Sequence, residues 1–441
     1  MDSLWTKTVQ MPRFQALKNN LSTDVLIIGG GMAGLLCARQ LKQAGVDCVL
    51  VEQDRLCGGV TKNTTAKITV QHGLIYHKLM DLFGVEKAKL YLQANQAALE
   101  QYEELCRDID CDFEEQDAFV YSLTDRASLI KETAALKQLD VQAGFREEVS
   151  LPFPVAGAVR VKGQAQFHPL KFAAAVAEGL PIREHTKVLE LMPGKAVTTG
   201  GTIRAKNIIG ATHFPMLNKH GGYFLKLYQH RSYVLALKGV PTLPGMYVDE
   251  TQTGLSFRMW GDLLFLGGGS HRTGKTGGNW RELEQFAARH FPKAQIVARW
   301  ATQDCMTLDG VPYIGRYSKR TPGLYVAAGF NKWGMTSSMV AAMLLTDLVQ
   351  GRENPWAALF DPSRSILHPQ LGVNAAESTL NLLTPTAPRC PHMGCALKYN
   401  RVEHSWDCPC HGSRFDEEGA VLDNPAADDK PALKRYSGQK E

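Results

Sequence analysis

The chain has 441 residues and a mass of 48.6 kDa, with 44% hydrophobic and 21% charged residues and a mean hydropathy of −0.19. This composition suits a water-soluble globular chain of several domains and excludes disordered, collagen-like and coiled-coil chains. With 49 basic against 44 acidic residues the net charge is only +5, too balanced for a nucleic-acid or anionic-membrane partner.

Residues 1–22 show little periodicity and read as a lead-in. The apolar run 24–28 predicts a buried strand that enters Gly29-Gly30-Gly31-Met32-Ala33-Gly34. A helix over 35–44 follows, closed by Gly45, and then a strand over 46–51. These pieces make a complete βαβ unit. Tyr91, Ala94, Ala98, Tyr102 and Leu105 space a helix over 87–108. Residues 118–122 and 139–165 are strand-like, and Pro169 opens a helix over 169–180. Short strands are expected in 186–210 and antiparallel sheet in 230–270. A buried strand over 324–328 leads through a loop to a helix over 336–350. Residues 351–385 hold Pro355, Pro362, Pro369 and Pro385 and read as a linker with at most one helix. Residues 386–441 form a separate small unit. No apolar run reaches the ~18 residues of a membrane helix. The longest candidate, 25–38, is broken by four glycines. Asp2 and the lack of an early apolar run predict no secretory signal and hence a cytoplasmic location.

The first motif is Gly29-x-Gly31-x-x-Gly34 between a strand and a helix, with Glu52 ending the next strand. The first glycine permits a tight turn and the second a close backbone approach to a pyrophosphate. The third permits close helix–strand packing, with the helix N-terminus facing the phosphates. Glu52 can accept hydrogen bonds from ribose hydroxyls and would repel the 2′-phosphate of NADP. Gly58, Gly59 and Thr61 follow and suit a second backbone approach to the same cofactor.

Far downstream come Asp309-Gly310-Val311-Pro312-Tyr313-Ile314-Gly315 and Gly329-Phe330-Asn331-Lys332-Trp333-Gly334-Met335-Thr336. Together with the glycine motif, these segments resemble the flavoprotein family of D-amino-acid oxidase, glycine oxidase and sarcosine oxidase. The resemblance implies FAD held by three segments, about 23–75, 150–215 and 300–350, within an oxidoreductase unit at 23–350. Segments 76–149 and 216–299 would build the substrate domain. Besides the glycines and Glu52, it implies cofactor contacts at Met32, Ala33, Lys67, Val188, Gly315, Gly329, Gly334, Met335 and Thr336. The start of the last helix would stabilise negative charge on the reduced ring.

Ten cysteines are present, and four of them, Cys390, Cys395, Cys408 and Cys410, crowd into 21 residues. Such clustering points to a metal. The boxes Cys390-Pro391-His392-Met393-Gly394-Cys395 and Cys408-Pro409-Cys410-His411-Gly412-Ser413 offer thiolates and imidazoles. Structural zinc is the rival occupant. The paired boxes, with a glycine in each, resemble a Rieske [2Fe–2S] motif. That resemblance implies Cys390 and Cys408 as thiolate ligands, His392 and His411 as imidazole ligands, and a Cys395–Cys410 disulfide. Only 38 residues separate Gly351 from Cys390, so the upstream half of a Rieske sheet is expected to be reduced, with the cluster loops leaning on the flavin unit. The expected fold is an α/β Rossmann-like FAD domain with an antiparallel-sheet substrate domain and a small C-terminal all-β Rieske unit.

The expected chemistry is oxidation of a small amine or amino-acid derivative. Electrons would pass from FAD to the cluster and then to an external acceptor, a protein partner. The alternative is an electron-transfer component with no organic substrate, serving a partner oxygenase. A single dinucleotide motif argues against it. In amino-acid-oxidising relatives an arginine sits five residues before the Asp-Gly pair. Here that place is Asp304, which suits a cationic amine better than a carboxylate. His271 and Arg258 are the other candidate catalytic residues, although a surface position is the plainer reading of both. The oligomeric state is not encoded in these motifs.

Overall fold

The computed structural model describes residues 3–217, 220–385, 388–431 and 433. Three sheets organise them. The first has eight strands, with Tyr313–Arg316, Leu324–Ala328, Gly201–Gly210, Leu21–Ile28, Cys48–Val51 and Ile182–Arg183 in that order. Its inner strands are parallel, Val25–Cys48 and Leu26–Ile208 being in register. A parallel sheet must be covered on both faces, and residues 25–28 and 48–51 are accordingly apolar and buried. The helices Met32–Gln43 and Gly334–Val349 pack together on one side.

The second sheet has nine strands. Gln295–Met306, Tyr228–Lys238, Leu263–Arg272, Ser256–Trp260, Met246–Asp249, Glu114–Ser122, Gly157–Gln166 and Lys67–Ile68 run in order, with Ala143–Arg146 added on Gly157–Gln166. Every pairing is antiparallel except Met246–Asp249 with Glu114–Ser122. Strands 67–68 and 157–166, and residues 300–306 of strand 295–306, therefore belong to this sheet, although the sequence places them in cofactor segments. The third sheet is small and antiparallel, joining Lys398–Asn400, Ser405–Asp407, Arg414–Phe415 and Val421–Asp423. Among the described residues it has no strand upstream of Cys390, as the short spacing predicted.

Two expectations change in detail. The lead-in is packed: Trp5 is fully buried and its indole donates to the Thr64 carbonyl at 2.7 Å. Residues 351–385 are also more than a tether. They hold the helices Ala357–Phe360 and Pro369–Leu383, with Leu359 and Phe360 buried. Arg364 makes a two-pronged ion pair with buried Asp309, at 2.7 and 2.8 Å. Four prolines suggested a break where two of them, Pro362 and Pro369, in fact sit beside ordered contacts. No helix among the described residues is long and apolar enough to cross a membrane.

Candidate functional site

A cavity of about 1330 Å³ runs between the first two sheets. One end is walled by the glycine turn. Gly29 has φ +107°, and a Cβ there would stand 2.5 Å from the Ala211 carbonyl oxygen. A Cβ on Gly34 would overlap the carbonyl oxygen of Gly29, so Gly34 serves helix–strand packing and does not line the cavity. Gly29, Gly31, Met32, Ala33, Glu52, Gly58, Gly59, Thr61, Lys67 and Val188 all line it. Glu52 accepts from the Gly30 N–H at 2.6 Å and the Asp54 N–H at 3.0 Å. Burial nonetheless leaves its carboxyl above the ordinary range. Thr61 Oγ1 accepts from the Met32 N–H at 3.0 Å, tying the second glycine segment to the helix start.

The other end is formed by Gly329, Gly334 and Met335, at the start of a 16-residue helix that has no side-chain cap. Its open N–H groups and dipole favour negative charge in front of them. Asn331 and Lys332 hold left-handed backbone, φ 50° and 71°. Asn331 fixes this loop by accepting from the Thr307 N–H at 2.8 Å and donating to the Gly329 carbonyl at 2.8 Å. Strain of this kind persists where surroundings over-determine it, commonly at functional sites. His72 also lines this end, stacked on Trp333 at 4.8 Å and hydrogen-bonded to Tyr91 at 2.6 Å and Thr336 at 3.0 Å. Burial pushes it down to about 3, so it is neutral.

Besides Gly34, the expected residues Thr336, Gly315, Arg258 and His271 do not line the cavity. Thr336 is one layer back, against His72, and does not line the cavity. Gly315 does not line it either: its missing side chain makes room for Pro362, whose Cδ would be 3.1 Å from a Cβ. Arg258 is completely buried and donates to the backbone carbonyls of Thr65, Ala66 (3.0 Å) and Phe167 (2.9 Å). It braces the segment that carries Lys67 and does not line the cavity. The surface reading of Arg258 and His271 is wrong for both, since each is buried.

Of the candidate catalytic residues only Asp304 lines the cavity. Burial pushes its carboxyl up, while Lys332 and His213 pull it down. Ser232 Oγ stands 3.4 Å away, and Lys332 donates to the Gln252 carbonyl at 2.8 Å. Burial pulls Lys67 down to about 7, with Arg258 adding to the effect.

The two cysteine boxes fold as matching turns. The Gly394 N–H returns to the Cys390 carbonyl and the Gly412 N–H to the Cys408 carbonyl, each at 2.9 Å, with φ 77° and 86° at the glycines. Cys395 and Cys410 are disulfide-bonded across the loops. The thiols of Cys390 and Cys408 share a hydrogen bond, which lowers Cys390 to about 7 and raises Cys408. The rings of His392 and His411 stand 5.0 Å apart, and neither ring nitrogen of buried His411 finds a well-formed hydrogen bond. Burial lowers them to about 4 and about 3, leaving neutral imidazoles. A hydrogen-bonded pair of buried thiols and a facing pair of neutral imidazoles, carried by two matching turns, fit a [2Fe–2S] cluster with mixed ligands. Likewise, an elongated cavity with a glycine cradle and a ribose-facing acid fits a dinucleotide.

The cluster loops dock on the nine-stranded sheet. Side chains alternate along a strand, and here the alternation divides two jobs. Tyr228, Ser232, Val234, Thr302, Asp304 and Met306 line the cavity, and Tyr233, at a register shift, both lines it and donates to Glu403 of the small unit at 2.9 Å. The intervening Gln229 and Gln303 donate to the carbonyls of His411 (3.0 Å) and Gly412 (2.9 Å). Arg231, also intervening, pairs with Glu403. From the next strand, Arg272 donates to the carbonyls of Pro409 and Cys410. His271 hydrogen-bonds Tyr233 at 3.1 Å beside them. Phe214 lines the cavity and lies edge-on to His392 and His411, at 6.1 and 6.3 Å. Residues 421–427 of the small unit also line the cavity.

Comparison with known proteins agrees with this geometry. Residues 24–348 match the model described as "FAD dependent oxidoreductase", and residues 381–437 match "Rieske [2Fe-2S] domain". The putative Rieske 2Fe-2S iron-sulfur protein YhfW of Bacillus subtilis (strain 168) is 34% identical, with 96% of each chain covered. Gamma-glutamylputrescine oxidoreductase of Escherichia coli (strain K12) is 23% identical over 77% of this chain and 86% of its own. Glycine oxidase from Geobacillus kaustophilus shares the fold, with a TM-score of 0.66 and 23% identity over 78% of this chain and all of that one. The chain therefore belongs to the FAD dependent oxidoreductase family and carries a C-terminal Rieske [2Fe–2S] domain.

Proposed function

We propose that the protein oxidises a small amine or amino-acid derivative and delivers the electrons to its own Rieske centre, from which an external acceptor protein collects them. FAD supplies acceptance of an electron pair from an electron-rich C–H, and the cluster supplies acceptance of single electrons. The observation that carries this reading is the shared wall. One strand layer presents Asp304 and Ser232 to the cavity and Gln229 and Gln303 to the cluster loops, and Phe214 reaches from the cavity to both cluster histidines.

The chain's own residues divide the remaining work. Asp304 holds a cationic nitrogen in the cavity, where burial strengthens a charge-assisted hydrogen bond. Lys332, anchored on Gln252, interacts electrostatically with it. Neutral His72 and the uncapped helix start hold the far end, and Glu52 orients the ribose. Imidazole ligation gives Rieske centres potentials of about −150 to +300 mV, against about −400 mV for plant-type ferredoxins. That favours electron flow away from the flavin. Cys37, Cys48, Cys57, Cys106, Cys111 and Cys305 all carry free thiols, which supports a reducing, cytoplasmic setting.

The test is anaerobic mixing of the holoprotein with small amines, followed by optical and EPR spectra. Flavin bleaching followed by reduction of the cluster within the same molecule is expected. Bleaching with the cluster left oxidised, or reduction by NADH and by no amine, refutes the proposal.

A further inference from the structure

The helix Pro369–Leu383 carries its apolar side outward. Its buried side chains are Asn374 and Asn381, 2% and 6% exposed, whereas Val373, Leu380 and Leu383 are 51%, 65% and 74% exposed. The polar face is accounted for. Asn374 accepts from Arg272 at 2.9 Å and donates to the Leu225 carbonyl at 3.2 Å. The Asn381 carbonyl accepts from the Ala396 N–H at 3.0 Å, on the first cluster loop. Glu377 pairs with Lys275 at 2.7 Å. Among the described residues the apolar face is left exposed. Its residues are Pro369, Val373, Ala376, Leu380 and Leu383, in steps of four and three. This is the 3.5-residue repeat with which one helix packs against another. Exposed Leu367, Leu382 and Met393 widen the stripe toward the cluster loop.

We propose that this stripe is a homodimer interface, in which the helix pairs with the same helix of a second copy across a two-fold axis. Charge supports self-pairing. The only charged side chain on the helix is Glu377, and it is turned to Lys275, so two copies meet without like-charge repulsion. The same neutrality disfavours other occupants. A helix that lies on an anionic membrane carries Lys and Arg on its flanks, and a steered redox partner needs a charged rim. Residues 434–441, Lys-Arg-Tyr-Ser-Gly-Gln-Lys-Glu, contain no aliphatic side chain to match the stripe. Ala376 is the midpoint of the repeat. A two-fold axis passes beside it in a parallel or an antiparallel pair, so the two copies of Ala376 meet in both. Fifteen residues span about 22 Å. A contact of this length makes a small interface, so the dimer population is expected to rise with protein concentration.

Light scattering on the full holoprotein over a concentration series tests this. The mass is expected to rise from 48.6 kDa toward twice that value. The double variant Val373→Glu/Leu380→Glu is expected to stay monomeric with its flavin and cluster absorbance unchanged. Leu189→Glu, at an exposed leucine elsewhere, still dimerises. Ala376→Cys, oxidised with copper phenanthroline, gives a disulfide-linked dimer that dithiothreitol reverses. A monomer at every concentration, a dimer that survives the double variant, or no Ala376→Cys cross-link overturns the proposal. So does monomeric binding to lipid vesicles that the double variant abolishes, which would assign the stripe to a membrane surface.

Discussion

Replacing Glu403 with glutamine tests the docking of the Rieske unit on the flavin sheet. Glu403 is almost buried, 8% exposed, between two guanidiniums. Arg231 comes from the flavin side and donates from Nε at 2.8 Å. Arg414 comes from the Rieske side at 3.0 Å, and the Tyr233 hydroxyl donates at 2.9 Å. Burial alone would push the Glu403 carboxyl up. Arg231, Arg414 and Tyr233 outweigh it and hold the group at about 2, against an ordinary 4.5. At 1.36 kcal/mol per unit, that difference is worth roughly 3 kcal/mol, similar to the cost of breaking a buried pair. In urea, with a slope of ~1–3 kcal/mol/M, the midpoint falls by about 1 to 3 M. The assay is denaturation of the holoprotein, with visible circular dichroism reporting the cluster and flavin fluorescence the cofactor site. The cluster signal is expected to shift first and furthest. The pH dependence has a fixed sign. Because the folded value is depressed, the stabilisation is complete above pH 4.5 and is lost as pH falls toward 2. Glu403→Gln lacks that step. A cluster midpoint unchanged from the parent would refute the reasoning.

Gly34→Ala puts a methyl into the Gly29 carbonyl oxygen. Flavin content per chain falls more than about tenfold while iron content holds, read from absorbance and metal analysis. Asp304→Asn removes the charge that faces the amine. At ~1.5–3 kcal/mol for a charged hydrogen bond, KM for a cationic substrate rises about 10- to 100-fold with flavin content unchanged. Lys67 is cationic below about pH 7 and neutral above it, because burial disfavours its charge. The pH profile of flavin reduction is expected to bend near 7, and Lys67→Met to remove the bend.

The sequence made the cofactor sites legible because their chemistry is local. Gly29-x-Gly31-x-x-Gly34 needs only its own strand and helix, and each cysteine box closes its own turn. What it concealed depends on distant partners. Arg258 looked like a surface or substrate residue, because nothing beside it reveals the carbonyls of Thr65, Ala66 and Phe167. Phe214 follows a strand end with no motif, and gains meaning only when the Rieske unit lands against it. Lys332 lay inside a motif read for its glycines, although a left-handed lysine between Asn331 and Trp333 is itself unusual. Residues 351–385 looked like a linker because their prolines outweighed the repeat that begins at Pro369 and because Arg364 has its partner 55 positions away.

The division of labour along strands Tyr228–Lys238 and Gln295–Met306 limits how this protein can diverge. A point substitution at Ser232 or Asp304 can retune what the pocket accepts while Gln229, Arg231 and Gln303 go on gripping the iron–sulfur unit. An inserted or deleted residue in either strand would turn Ser232 and Asp304 toward the docked unit and Gln229 and Gln303 toward the ligand. Descendants with new preferences should therefore keep the lengths of these strands fixed.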